Sequence, residues 1–146
     1  MDHILQDKYF VEKLDKTILL FKFHEHDRDK LIVSLIKNVL FKNDIFYYLA
    51  SSDDEISLFI ENYPEINELK NLNCPCMSNY NIIKVFGDVN NITHIGIVSI
   101  LSTILAQSHI PILYVNTFNN NYILLEHEYY SSAIKLFEKH GIHFIK

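Results

Sequence analysis

Glycine and proline are scarce in this chain of 146 residues, three of each, and only two cysteines are present. So few glycines rule out the glycine-rich phosphate loops that nucleotide enzymes use, and no nucleophile elbow or supported Cys-His pair occurs. The cysteines, Cys74 and Cys76, flank Pro75 in NLNCPCMSNY. A lone C-P-C is too little for a zinc site, which needs about four ligands, so both read as linker residues. No apolar run approaches the roughly 20 residues of a membrane span. The start, MDHILQDKYF, has neither the basic opening nor the apolar core of a signal peptide, and the chain reads as cytoplasmic. The formal net charge is -5, with few, dispersed lysines and arginines. No basic face is available to neutralise phosphates, which argues against nucleic acid as a partner.

What is abundant is apolar and polar-uncharged: 49% hydrophobic residues against 21% charged describe a globular chain. In the second half, NIIKVF (81–86) reads as a strand ending at Gly87. The stretch 95–107 carries Ile97, Val98, Ile100, Leu101, Ile104 and Leu105 on one helical stripe. IPILYVNT and YILLEH read as strands on either side of the polar knot Asn116–Asn121. EYYSSAIKLFEKHG then repeats Tyr130, Ala133, Ile134 and Phe137 at helical spacing, with Gly141 at the capping position, and IHFI closes as a strand. The order is β-α-β-β-α-β, the split βαβ or ferredoxin-like arrangement, with both helices on one face of an antiparallel sheet and the other face open.

The first half repeats that order in shortened form. ILLFKF (18–23) reads as a strand, preceded by another around YFVEKL; residues 28–41 read as a helix; DIFYYLAS and EISLFIEN pair as a hairpin around Ser52-Asp53-Asp54. The second helix is expected to be replaced by the loop YPEINELKNLNCPC. An α+β chain of two tandem units follows, 1–73 and 78–146, divided at the polar, proline-bearing segment 62–79.

Four features invite chemistry. The loop GDVNNITHIGIV is a plausible anion seat, because the first amides of a helix are unpaired donors and Gly96 allows close approach; capping by Asn91 or Thr93 is its ordinary reading. The histidines of FHEHDRD have no matched third ligand, which leaves His94 at the helix start as the one of interest. Asp53 and Asp54 sit in an expected exposed turn, where solvation outweighs acid-base work. The asparagine knot is a hairpin connection by composition.

The stretch VFGDVNNITHIGIVSILSTILAQSHIPILYVNTFNNNYILLEHEYYSSAIKLFEKHGI resembles an ACT domain, most closely the CASTOR-type units of the cytosolic arginine sensor. The matching pieces are Gly87-Asp88, Gly96-Ile97-Val98, Asn116-Thr117-Phe118, Tyr122-Ile123-Leu124-Leu125 and the acidic helix start. HILQDKYFVEKL and IFYYLASSDDEISLFIENYPEINEL are looser matches. The resemblance implies tandem ACT units with no catalytic activity and no cofactor. It implies a free amino acid or similar small ligand held at a seam between units, an unidentified regulatory protein partner, and a homodimer that restores the four units of the sensor. Carried across, the ligand's main-chain groups fall on Asn91, Thr93, His94, Ile95 and Gly96 and on the strand start at Pro111 and Ile112. Its side chain falls on Thr117, Phe118 and Asn121. The family usually has Asp where Asn121 stands, and an amide cannot make the charge-assisted pair a guanidinium needs. The competing expectation is a scaffold subunit whose pocket has decayed.

Overall fold

The computed structural model describes residues 9–70, 76–87 and 96–145. Its chain gathers into two units, Met1–Asp15 with Asn81–Lys146 (the split unit) and Lys16–Tyr80 (the continuous unit). The division expected at 62–79 therefore differs: the opening residues join the second half. The cause is one long strand. The two expected strands around YFVEKL and ILLFKF are a single β1, Tyr9–His24, which serves the split unit up to Asp15 and the continuous unit beyond it. β4, Cys76–Gly87, likewise runs through the boundary at Tyr80. Cys76 thus opens a strand and is not a linker residue, while Cys74 lies outside the described residues.

In the continuous unit β1 is followed by a 3-10 turn Glu25–Asp27, α1 Arg28–Asn38, β2 Tyr47–Ser51 and β3 Glu55–Glu61. The sheet order is β4-β1-β3-β2, the order the split βαβ arrangement requires. Leu19, Phe21 and Phe23 of β1 stand opposite Ile60, Leu58 and Ile56 of β3. All six are buried with Leu31, Leu35 and Val39, so α1 covers one face of the sheet. Where a loop was expected at 63–76, a 3-10 turn Pro64–Ile66 leads into α2, Asn67–Lys70. Pro64 presets the first φ of the turn, and Ile66 and Leu69, both 0% exposed, anchor it on the core. Two apolar anchors among polar neighbours leave no visible helical stripe. The unit is a complete βαββαβ with its second helix cut to one turn.

The split unit adds α3 Ile97–Ala106, β5 Leu113–Asn116, β6 Asn121–Glu126, α4 His127–Lys139 and β7 His143–Ile145. Its strand order is β7-β1-β4-β6-β5. β1 stands where a bare βαββαβ would pair its last strand with its first, and β7 consequently runs parallel to β1, an exception to the otherwise antiparallel pattern. Ile97, Leu101, Ile104 and Leu105 of α3, with Ala133, Ile134 and Phe137 of α4, pack on Val11, Ile83, Val85, Ile123 and Leu125. Both helices therefore lie on one face, as expected. The other face is not open at its centre: Ile82 and Leu124 are 0% exposed, and the half-buried Tyr122 sits directly opposite the buried Val115.

The helix ends share a solution. The amide of Ile142 donates to Phe137 O at 3.0 Å and that of Ile110 to Leu105 O at 3.0 Å, each across a left-handed residue, Gly141 (φ 74) or His109 (φ 55). This is the Schellman closure, with an apolar residue folded back on the last turn. Among the described residues no helix is long and apolar enough to cross a membrane.

Val11 is 2% exposed in the split unit's core, and β7 pairs with β1. A fragment of residues 78–146 therefore loses one strand of five and the partner of another, and a sheet so interrupted leaves apolar surface and pairing edges uncovered. The expected outcome is a fragment without a cooperative denaturant transition by circular dichroism; a soluble, cooperatively folding fragment would contradict the interleaving.

Candidate functional site

α3 begins at Gly96, whose φ of +92 is accessible to glycine at little cost. The first helical bond runs from Ile100 N to Gly96 O at 2.9 Å. No side chain of Gly96 caps the helix and its first turn holds no acidic residue. A β-carbon added at Gly96 would meet nothing within 4 Å. Among the described residues no side chain caps the first turn, where the amide donors and the positive dipole end lie. Asn91, Thr93, His94 and Ile95 lie outside the described residues.

The polar knot is a hairpin tip. Asn116 pairs with Asn121, the Thr117 amide donates to Asn120 O at 2.8 Å, and the Asn120 amide donates to Thr117 Oγ1 at 3.2 Å. Asn121 is half-buried and shares the alternation of the buried Ile123 and Leu125, which puts it on the helix-bearing face. Phe118 is fully exposed, at 101%.

Chain direction decides which of these residues meet. β4 and β5 run the same way with α3 returning between them, so the start of α3 and the end of β5 lie at one end of the unit. Gly96 and the tip Thr117–Asn121 share that end. Pro111 and Ile112, beside the C-terminus of α3, lie at the other, one helix length of about 15 Å away. Pro111 is exposed and Ile112 packs on the core. One amino acid cannot reach both ends within this unit.

Sequence reasoning passed over Tyr114. Its hydroxyl is buried and has no hydrogen-bond partner among the described residues, although its ring packs against the split unit's core. Burial alone pushes its phenol pKa above the usual tyrosine value. It occupies the same helix-bearing alternation as Ile112 and Asn116, and reads in the sequence as one more apolar strand residue. The other chemical candidates are accounted for locally. His24 and His26 stack at 5.4 Å between ring centroids, His26 faces Asp27 at 3.3 Å, and no group of three metal-binding side chains occurs among the described residues. Asp53 and Asp54 are exposed in the β2–β3 turn, where Ser52 Oγ donates to Asp54 Oδ1 at 3.1 Å.

Residues 77–139 match the family model of the ACT domain. That segment is ACT-like in sequence and in fold. Nearly the whole chain superposes on solved structures. The ligand-free regulatory subunit of aspartate kinase from Thermus thermophilus shares 8% identity, with 92% of this chain and 97% of that one covered and a TM-score of 0.62. A protein from Agrobacterium tumefaciens shares 14%, with 94% and 92% covered and a TM-score of 0.65. The aspartate kinase of Clostridium acetobutylicum shares 16%, with 91% of this chain but 33% of that one covered and a TM-score of 0.56. At such identities the likeness is one of fold, and the fold is the tandem ACT-like arrangement. No curated protein matches the chain.

An orphaned buried hydroxyl costs about 1–3 kcal/mol. Tyr114→Phe should therefore raise the urea midpoint of the ligand-free chain, by about 1 kcal/mol in stability; an unchanged or lowered midpoint would mean that the hydroxyl already has a partner.

Proposed function

We propose that the chain is a non-catalytic, cytoplasmic regulatory protein that binds a free amino acid or a similar small ligand and thereby modulates a protein partner, acting as a homodimer. The observation that carries this reading is the start of α3, with its glycine at φ +92 and no acid in its first turn, placed at the same end of the unit as a polar hairpin tip. An α-carboxylate suits the helix amides, and the tip supplies Thr117, Asn121 and the exposed ring of Phe118 for the side chain. The loop residues Asn91, Thr93, His94 and Ile95 complete the main-chain contacts. The remaining wall comes from another ACT unit across a seam, and Pro111 and Ile112, far from the tip of their own unit, serve such a seam from the other side. Asn121 is uncharged, so the site favours a polar, uncharged side chain over arginine.

A second reading, a scaffold subunit without a ligand, draws support from Thr117, whose hydroxyl is engaged by Asn120.

Thermal denaturation against a panel of free amino acids separates the two, since a ligand that binds only the folded chain stabilises it by mass action. At least one compound at millimolar concentration should raise the midpoint. Thr117→Val with Asn121→Ala should abolish that rise while changing stability by no more than about 1 kcal/mol. A flat panel favours the scaffold, and a rise that survives both substitutions moves the ligand away from the tip.

A further inference from the structure

Among the described residues one buried side-chain polar atom lacks a hydrogen-bond partner, the hydroxyl of Tyr114. Burying a tyrosine does not by itself strand its hydroxyl: that of Tyr63 donates to Asn38 O at 3.0 Å. Nor do the cores of this chain call for a phenol, since Phe21, Phe23 and Phe137 fill fully buried positions without one. A phenylalanine at 114 would keep the ring's packing on the split unit's core and leave no polar group unmet. The surroundings of Tyr114 give the hydroxyl a use. Tyr114 pairs with Ile123, and Asn116 with Asn121. Tyr114, Asn116 and Asn121 therefore share the helix-bearing face at the tip end of the hairpin, with Tyr114 and the half-buried Asn121 diagonal across the two strands. Diagonal neighbours on one face lie about 7–8 Å apart, within reach of an aromatic side chain. No hydrogen bond joins the hydroxyl to either asparagine, so a small polar group between the strands' side chains would meet both a phenol and a carboxamide. Burial holds the phenol pKa above its usual value, which keeps its proton in place at neutral pH and makes it a donor. From Leu113 to Leu125 the hairpin carries no charged residue, and a carboxylate or ammonium buried there would find no counter-charge on it.

We propose that Tyr114, with Asn121, reads the side chain of the bound amino acid, and that the ligand belongs to the amino acids whose side chain is uncharged and hydrogen-bonding, a hydroxyl or a carboxamide. The inference deepens the ligand binding of the proposed function and rests on it. The phenol donates to the oxygen of the ligand's side chain, and the Asn121 carboxamide supplies both a donor and an acceptor beside it. An apolar isostere would fill the same space and leave the hydroxyl stranded. A site built around such a bond rejects the analogue that lacks it far more strongly than a purely apolar pocket separates two shapes.

The test is calorimetry on the full chain with paired free amino acids: serine and alanine, threonine and valine, asparagine and leucine, glutamine and methionine, with aspartate and lysine as charged members. In at least one pair the parent should bind the polar member tighter than its apolar counterpart by about tenfold or more. Tyr114→Phe should reduce that ratio to less than about threefold by weakening the polar member alone, while the urea midpoint of the ligand-free variant rises. These opposed responses separate a ligand-reading hydroxyl from a structural one, whose loss lowers stability with or without ligand. Tyr129→Phe, in the first turn of α4 at the end of the unit away from the hairpin tip, should leave the ratio as in the parent. If the parent binds an amino acid but Tyr114→Phe leaves affinity and ratio unchanged, or if the tightest ligand has a charged or wholly apolar side chain, the assignment is overturned and the ligand-binding reading stands. A parent that binds no amino acid at millimolar concentration overturns both.

Discussion

The 16-residue strand β1, which pairs with other strands at both of its ends, is the element on which the architecture depends. Val11, Leu19, Phe21 and Phe23 share one parity of β1 and are all buried, the first in the split unit's core and the others in the continuous unit's. A one-residue slip along Leu19–Phe23 would bring Leu20 and Lys22 to the core face and carry the fully buried Ile18 off its own. Because β1 pairs with β3 along Ile18–His24 and with β7 along Phe10–Glu12, its register is read from both ends. The helices can vary in length around it. α2 shrinks to one turn in the continuous unit, while α3 and α4 keep full length in the split unit.

The proposed function turns on how the two ends of each helix differ. The C-termini of α3 and α4 are closed by the same backfolded amide, and their last carbonyls are spent within the fold. The start of α3 is different: a glycine at positive φ opens the helix, and no side chain among the described residues caps its amides. In the proposed reading a donor-rich helix end beside a polar tip suits a small zwitterion, and no group of three metal-binding side chains occurs among the described residues.

Much of the fold was legible in the sequence. The apolar stripes of α3 and α4, the Gly141 cap and the two hairpins are local signals, and local signals survive in a single chain. The joined strand was not legible, since Asp15-Lys16-Thr17 interrupts its apolar run with polar residues while the strand itself continues. α2 escaped because two anchors, Ile66 and Leu69, are too few to establish a helical period. The parallel partnership of β7 with β1 depends on residues more than 130 positions apart, which no local pattern records. At the site, the glycine and the asparagine knot announced themselves by composition. The separation of Pro111 and Ile112 from that knot is a matter of chain direction, and the stranded hydroxyl of Tyr114 is a matter of packing.

The central claim, that a small ligand is held by the start of α3 and the hairpin tip, is tested most directly by following backbone amide resonances of the full chain as free amino acids are added. The account predicts saturable shifts at Gly96, Ile97 and Val98 and at Thr117–Asn121, with the α4 and α1 amides unmoved. Saturable shifts that leave both segments untouched, or no shifts with any amino acid, would contradict it.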